Sequence, residues 1–185
     1  LEDWKGKKLR MMPLMGDVLA KHGFSVVFMP AGEIMPNLQR GVLAAAEYSI
    51  PAFDKTLGIW EVCKYLHLPG IHQPCSHLEL VVNKKSWDAV PDDLKVLVEA
   101  AIWKSRLKEW LWMEQKNVEA MDFFKEKGVQ IVQMDAGTAK TMIQWAHEYL
   151  DEQSAKDEFF GKVWKSQKDF GQKWFPYSKA FSLPR

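Results

Sequence analysis

The sequence is poor in cysteine, has no long apolar run and carries almost no net charge. Its 185 residues include only Cys63 and Cys75, too few for a disulfide framework. A bond between the two and a pair of separate buried thiols both fit this count, and separate thiols are favoured. No apolar run approaches the roughly 20 residues that a membrane span needs. The net charge of +1 shows no bias toward nucleic acid or an anionic membrane as a partner.

Familiar catalytic and zinc-binding motifs are missing as well. The chain has no G-x-S-x-G nucleophile motif, no Walker loop and no G-x-G-x-x-G. His72 and His77 lack the spacing of zinc ligands, and the two cysteines are far apart in sequence. These absences disfavour nucleophilic catalysis, nucleotide binding and a zinc site.

Residues 7–70 alternate short predicted strands and short predicted helices. The strand-like runs are KKLRMM, FSVVFM and VLAAAEYS, and the helix-like runs are PLMGDVLAKHG, GEIMPNLQRG and FDKTLGIWEVCKY. This order predicts an α/β fold with a mostly parallel sheet and helices on its faces. Ligands of such folds bind at the carboxyl ends of the strands, and Arg10 and Glu47 both fall at predicted carboxyl ends.

The pattern changes in the second part of the chain. YLHLPGIHQP predicts a loop with short extended pieces, and SHLELVVN predicts a strand. A long helix is predicted from Pro91 to Gly128, roughly 55 Å at about 1.5 Å per residue. We predict a strand at VQIVQM, one or two amphipathic helices over 139–170, and an aromatic tail, KWFPYSKAFSLPR, that packs onto the surface.

Two charged residues at the predicted sheet edge are candidates for ligand binding. The planar guanidinium of Arg10 suits a carboxylate, and the alternative is a surface ion pair with Asp17 or Glu33. Glu47 lies in AAAEYSIP without a basic residue close in sequence, and a buried carboxylate needs a positive partner. That partner is either a bound cation or a distant Lys or Arg. The amide oxygen of Gln73 suits a hard cation, and its alternative is a bond to the backbone.

Two long stretches resemble the second lobe of TRAP transporter solute-binding proteins of the DctP type. They are KGKKLRMMPLMGDVLAKHGFSVVFMPAGEIMPNLQRGVLAAAEYSIPAFD and EVCKYLHLPGIHQPCSHLELVVNKKSWDAVPDDLKVLVEAA. The similarity is closest to the subgroup that binds 2-oxo acids, lactate and related monocarboxylates together with a cation. The similarity is clear over residues 1–128, and in the rest of the chain only the general sequence pattern is similar.

The resemblance implies a fold like that of type II periplasmic binding proteins, with two α/β lobes. Residues 1–70 would form the second lobe, 71–90 the connecting strands, 91–128 the helix that spans both lobes, and 129–185 a strand and C-terminal helices. The first lobe would precede Leu1.

The resemblance also implies roles for five residues. Arg10 matches the arginine that binds the ligand carboxylate, and Glu47, Tyr48 and Gln73 match positions of the cation site, where Na⁺ or Ca²⁺ would bridge to the ligand. Tyr48 and Phe53 are candidates for the apolar wall that selects the ligand. Tyr48 stands where Trp is usual. Gln73 stands where Glu is common, and the lost charge is expected to weaken or alter the cation site.

The function implied is that of a periplasmic receptor for a small organic acid. It would deliver the acid to the membrane subunits of a TRAP transporter without chemical change, closing two lobes around it. A homodimer supported by the long helix and the tail is also implied, with no nucleic-acid partner and no catalytic cofactor. Two other classes stay open. One is an enzyme with Glu47 as general base and Arg10 binding a carboxylate substrate. The other is an assembly module built on the helix tryptophans Trp103, Trp110 and Trp112.

Overall fold

The computed structural model describes residues 1–72 and 79–181. The chain forms two compact units, Leu1–Met134 and Asp135–Arg185. The first unit combines helices with two parallel sheets, and the described part of the second unit is helical. Among the described residues, no helix has both the length and the apolar character that crossing a membrane requires.

The first sheet has the strand order β2–β1–β3, and both neighbouring pairs are parallel. Strand β1 is Lys8–Arg10, β2 is Ser25–Val27 and β3 is Ala45–Ala46. Helix α1, Pro13–Lys21, connects β1 to β2, and α2, Ala31–Gln39, connects β2 to β3. The parallel α/β arrangement predicted from the alternating pattern is confirmed.

The helices that connect these strands supply much of the core of the first unit. Val18 and Leu19 of α1 and Ile34 of α2 are at most 1% exposed. Pro13 occupies the first turn of α1, where a missing backbone N–H has no cost. Gly23 follows the helix with φ +84°, a conformation that glycine adopts without steric strain and that ends α1.

The second sheet pairs two strands that are far apart in sequence. Strand β4, Tyr65–Leu68, lies parallel to β5, Gln130–Gln133, with Leu66 opposite Ile131. β5 was predicted, and β4 lies in the segment that was predicted as a loop with short extended pieces, but the pairing of β4 with β5 was not predicted. The partner strand that satisfies the backbone of β4 is remote in sequence, so a local pattern does not reveal it.

Helix α5, Asp92–Glu126, confirms the predicted long helix. Its 35 residues extend about 52 Å at about 1.5 Å per residue, and Pro91 precedes the first turn. Its second half buries Met113, Ala120 and Phe124, and the last two pack with Val129 in a cluster that Leu66 and Ile131 cover. The part of α5 before Met113 leaves large apolar side chains exposed in this chain: Leu94, Val96, Leu97, Trp103, Leu107, Trp110, Leu111 and Trp112.

Two segments between the sheets differ from the expectation. The predicted third helix is split: α3 spans Pro51–Thr56, Gly58 turns with φ +72°, and a 3₁₀ turn follows at Ile59–Glu61. Connecting strands were expected over 71–90, yet residues 79–83 have no regular secondary structure in the structure. Helix α4, Lys84–Asp88, follows them, and the Asn83 side chain accepts a hydrogen bond from the Ser86 N–H at its start.

The second unit contains helices α6, Ala136–Ser154, and α7, Glu158–Phe181. One or two amphipathic helices were predicted over 139–170, and the structure has two, but α7 continues where a surface tail was expected from residue 173. Aromatic side chains three and four residues apart contact one another along α7, as residues on one face of a helix do. They are Phe170, Trp174, Tyr177 and Phe181.

Candidate functional site

The carboxyl ends of β1 and β3 place Arg10 and Glu47 side by side. Arg10 is the last residue of β1 and pairs with Ala46 of β3, so the next residue, Glu47, lies at the same edge of the sheet. The Glu47 N–H donates to the Arg10 carbonyl over 3.0 Å. Adjacent parallel strands end at one edge, and the sequence expectation that both residues lie at this edge is therefore met.

Arg10 is buried and almost fully hydrogen-bonded within the protein. Its side chain is 3% exposed. Nη1 donates to the Glu47 carbonyl over 2.6 Å and to Glu47 Oε1 over 2.9 Å. Nε and Nη2 each donate to the Met29 carbonyl over 3.2 Å, and Nη2 also faces Met12 Sδ at 3.7 Å. Arg10 therefore forms a buried ion pair with Glu47 and is not the surface arginine that the alternative supposed.

Glu47 has one satisfied and one unsatisfied oxygen. Oε1 accepts the Arg10 bond and a hydrogen bond from the Met12 N–H over 2.6 Å. Oε2 is buried and has no hydrogen-bond partner of acceptable geometry. His72 Nε2 lies 2.9 Å from Oε2, but the pair is misaligned, so the imidazole nitrogen is buried and unsatisfied too. A buried acceptor without a partner is unfavourable, and a bound group at this point would remove that cost.

The residues at this edge fit a hard cation better than a transition metal. Glu47 Oε2 is a carboxylate oxygen without a hydrogen bond, with His72 Nε2 at 2.9 Å, and Na⁺ or Ca²⁺ completes its shell with carbonyls, water and ligand oxygens. Within residues 1–72 and 79–181, no three His, Cys, Asp or Glu side chains converge as metal ligands do. Gln73, the expected amide ligand, lies outside the described residues, and so does Cys75.

Asp54 is a further acidic group near this edge, and the sequence analysis did not single it out. It lies in the first turn of α3, and its Oδ1 accepts a hydrogen bond from the Ser49 N–H over 3.2 Å. Burial raises the pKa of Asp54 to about 6, the Ser49 bond opposes this, Glu47 raises the pKa further and His72 lowers it. An acidic residue in a helix-forming run has an ordinary structural role by default, so no sequence signal marked it.

The structure places Tyr48 and Cys63 beside the hydrophobic core and Phe53 in α3. Tyr48 is half-buried and packs against the cluster of Ile34, Leu38 and Leu43, as does Cys63. Phe53 is half-buried in α3. Tyr48 therefore contributes at least part of its ring to the hydrophobic core.

Two apolar side chains flank Arg10 and were missed by the sequence analysis. The Phe28 ring lies with its centroid 5.3 Å from Arg10 Cζ, and 54% of Phe28 is exposed. Met12, whose sulfur faces Nη2, is 40% exposed. Phe28 follows β2 directly and Met12 follows β1 by two residues, so both lie at the ligand-binding edge of a parallel sheet.

Comparison with known proteins identifies a matching family and several relatives of this chain. Residues 1–157 match the family model described as bacterial extracellular solute-binding protein, family 7, or DctP. A monocarboxylate 2-oxoacid-binding periplasmic protein of Nostoc sp. is 26% identical over 183 residues, which cover 99% of this chain and 50% of that protein. The chain thus spans about half the length of this curated relative.

Solved structures share the fold. A TRAP periplasmic solute-binding protein from Colwellia psychrerythraea, with bound calcium and pyruvate, is 25% identical with a TM-score of 0.89. Its counterpart from Pseudoalteromonas atlantica, with bound sodium and pyruvate, is 26% identical with a TM-score of 0.87. Each match covers 97% of this chain and 55% of the solved chain. Since the family model matches well over half of the residues, the chain belongs to the DctP family of bacterial extracellular solute-binding proteins.

Proposed function

We propose that the protein is the periplasmic receptor of a TRAP-type transporter and binds a small organic acid together with a cation. The observation that supports this most directly is the buried Arg10–Glu47 pair with the unsatisfied oxygen Oε2. Relatives of similar fold hold pyruvate with calcium or sodium, which agrees with an anion and a cation sharing one site. A 2-oxo acid, lactate or a similar monocarboxylate is the proposed ligand, and TRAP membrane subunits are the proposed partners.

Each residue of the charged pair has a proposed role. Arg10 supplies positive charge to the ligand carboxylate, although most of its N–H groups already bind protein oxygens. Glu47 would hold the cation through Oε2, with Tyr48 and Gln73 as the other proposed ligands. The bound cation neutralises the acid and allows an anionic ligand to approach it. Tyr48 and Phe53 remain candidates for the apolar wall.

Binding without turnover is the favoured role of Glu47. Oε1 already accepts hydrogen bonds from Arg10 Nη1 and the Met12 N–H, and the family to which the chain belongs consists of solute-binding proteins. An enzyme would convert a 2-oxo acid catalytically, and product analysis after prolonged incubation distinguishes the two roles. A pure assembly module would show no thermal shift with acids or cations, whereas a receptor gains about 2.7 kcal/mol at 100-fold excess over its Kd.

Calorimetric titration tests the proposal directly. The protein expressed from its complete gene is titrated with pyruvate in the presence of Ca²⁺ or Na⁺, and saturable binding is expected. Arg10→Lys keeps the charge but loses the planar donor set, so we expect affinity to fall at least about tenfold. Arg40→Lys is the matched control, because Arg40 is an exposed arginine of the same unit. Absence of binding by the unsubstituted protein, or equal effects of the two substitutions, would contradict the proposal.

A further inference from the structure

The donors of Arg10 leave little room for a bound anion. The Nε hydrogen and both Nη1 hydrogens are directed to oxygens of Met29 and Glu47. One Nη2 hydrogen also binds the Met29 carbonyl. The other faces Met12 Sδ at 3.7 Å, and a thioether is only a weak acceptor. A carboxylate that approaches Arg10 therefore gains most by replacing the Met12 sulfur at Nη2, through a single hydrogen bond.

The surroundings of this hydrogen are apolar. Arg10 Cζ lies over the Phe28 ring, 5.3 Å from its centroid, and Met12 supplies the contact at Nη2. Both side chains are substantially exposed, at 54% and 40%, and both lie at the carboxyl edge of the sheet. The described groups in contact with the guanidinium are Met12, Phe28, Met29 and Glu47, and none of them is cationic. A second carboxylate directed toward Met12 and Phe28 would meet apolar surface, because the described basic side chain beside this pair, His72, lies 2.9 Å from Glu47 Oε2 instead.

We propose that Met12 and Phe28 determine ligand specificity: they admit a monocarboxylate with an apolar side chain to Arg10 and exclude dicarboxylates. This inference rests on the proposed function and names two residues that set its ligand class. The physical reason is that an apolar and a charged ligand tail differ in the free energy of transfer from water to this surface. An apolar tail loses water contact against Met12 and Phe28, whereas a charged tail loses hydration without gaining a partner.

A matched pair of ligands isolates this effect. 2-Oxopentanoate and 2-oxoglutarate have the same carbon number and differ in the terminal group, a methyl or a carboxylate. In titrations of the protein from its complete gene, we expect 2-oxopentanoate to bind at least about tenfold more tightly than 2-oxoglutarate. Phe28→Lys supplies a cation and Met12→Gln supplies polar groups, and each is expected to lower this affinity ratio. The Met12 N–H that binds Glu47 is backbone, so Met12→Gln leaves it in place.

Phe159→Lys is the control for the change in charge, because Phe159 is an exposed phenylalanine of the second unit. The Phe159→Lys protein should have the same ratio of affinities for the two ligands as the unsubstituted protein. If the unsubstituted protein binds pyruvate but Phe28→Lys and Met12→Gln leave the ratio unchanged, the specificity assignment is wrong and the proposed function stands. A preference of the unsubstituted protein for 2-oxoglutarate also overturns the assignment. Failure to bind any monocarboxylate would instead reject the proposed function.

Discussion

Replacing Asp54 by Asn is expected to stabilise the protein at neutral pH. The Asp54 carboxyl is buried near Glu47, and its pKa is raised from 3.8 to about 6, mainly by burial. Above pH 6 the folded protein must therefore keep a poorly solvated negative charge there. Asparagine removes this charge, and its side-chain oxygen can still accept the hydrogen bond from the Ser49 N–H.

The sign of the pH dependence follows from proton linkage. Between about pH 4 and pH 6 the folded state binds the Asp54 proton more tightly than the unfolded chain, in which the pKa is about 3.9. The free energy of unfolding therefore falls as pH rises through this window. Above about pH 6 the destabilisation by the charged Asp54 has reached its full size. Two pKa units correspond to on the order of 2–3 kcal/mol, which is the expected gain of Asp54→Asn at pH 8. At pH 4.5 most of this gain should be absent.

Urea denaturation of the protein from its complete gene measures this effect. The midpoints of Asp54→Asn and the unsubstituted protein are compared at pH 4.5, 6 and 8 with a chelator and without added Na⁺, so that no cation offsets the charge. Asp93→Asn is the matched control, because Asp93 is an exposed acid in the first turn of α5. Asp93→Asn should lower the free energy of unfolding by up to about 1 kcal/mol, because it removes a negative charge that the helix dipole stabilises. The reasoning fails if Asp54→Asn is less stable at pH 8, or if its advantage is the same at every pH.

Two further substitutions test the charged pair and the second sheet. Glu47→Gln leaves the guanidinium of Arg10 buried without its counter-charge. We therefore expect the free energy of unfolding, measured by urea denaturation, to fall by about 3–5 kcal/mol. A loss below 1 kcal/mol would show that the pair is far more solvated than the structure indicates. Phe124→Ala opens a cavity in the cluster beside β4 and β5, and Phe124 is 3% exposed. We expect a cost of about 3–5 kcal/mol, whereas Phe159→Ala, at an exposed phenylalanine, should cost little.

The positions of the charged site residues could be predicted from the sequence, because they depend on where the strands end. Arg10 and Glu47 follow strand-like runs, and a parallel sheet brings such ends to one edge, so their proximity followed from the sequence pattern. The hydrogen bonding of Arg10 could not be predicted from the sequence, because its acceptors include the Met29 carbonyl, 19 residues away in the chain. Phe28 was missed for a related reason: an apolar residue inside a strand-like run looks like core, and only the structure shows it half-exposed over a guanidinium.

The amino-acid sequence by itself determined the order of the elements in the first unit and the long helix α5. Hydrophobic spacing, Pro13, Gly23 and Pro91 act on neighbouring residues, so their effect is visible locally. Only the tertiary structure decided that β4 pairs with β5, that Asp54 has a raised pKa and that Glu47 Oε2 is unsatisfied. These properties depend on backbone pairing, burial and charge between residues distant in the chain, and such distances are set only when the chain folds.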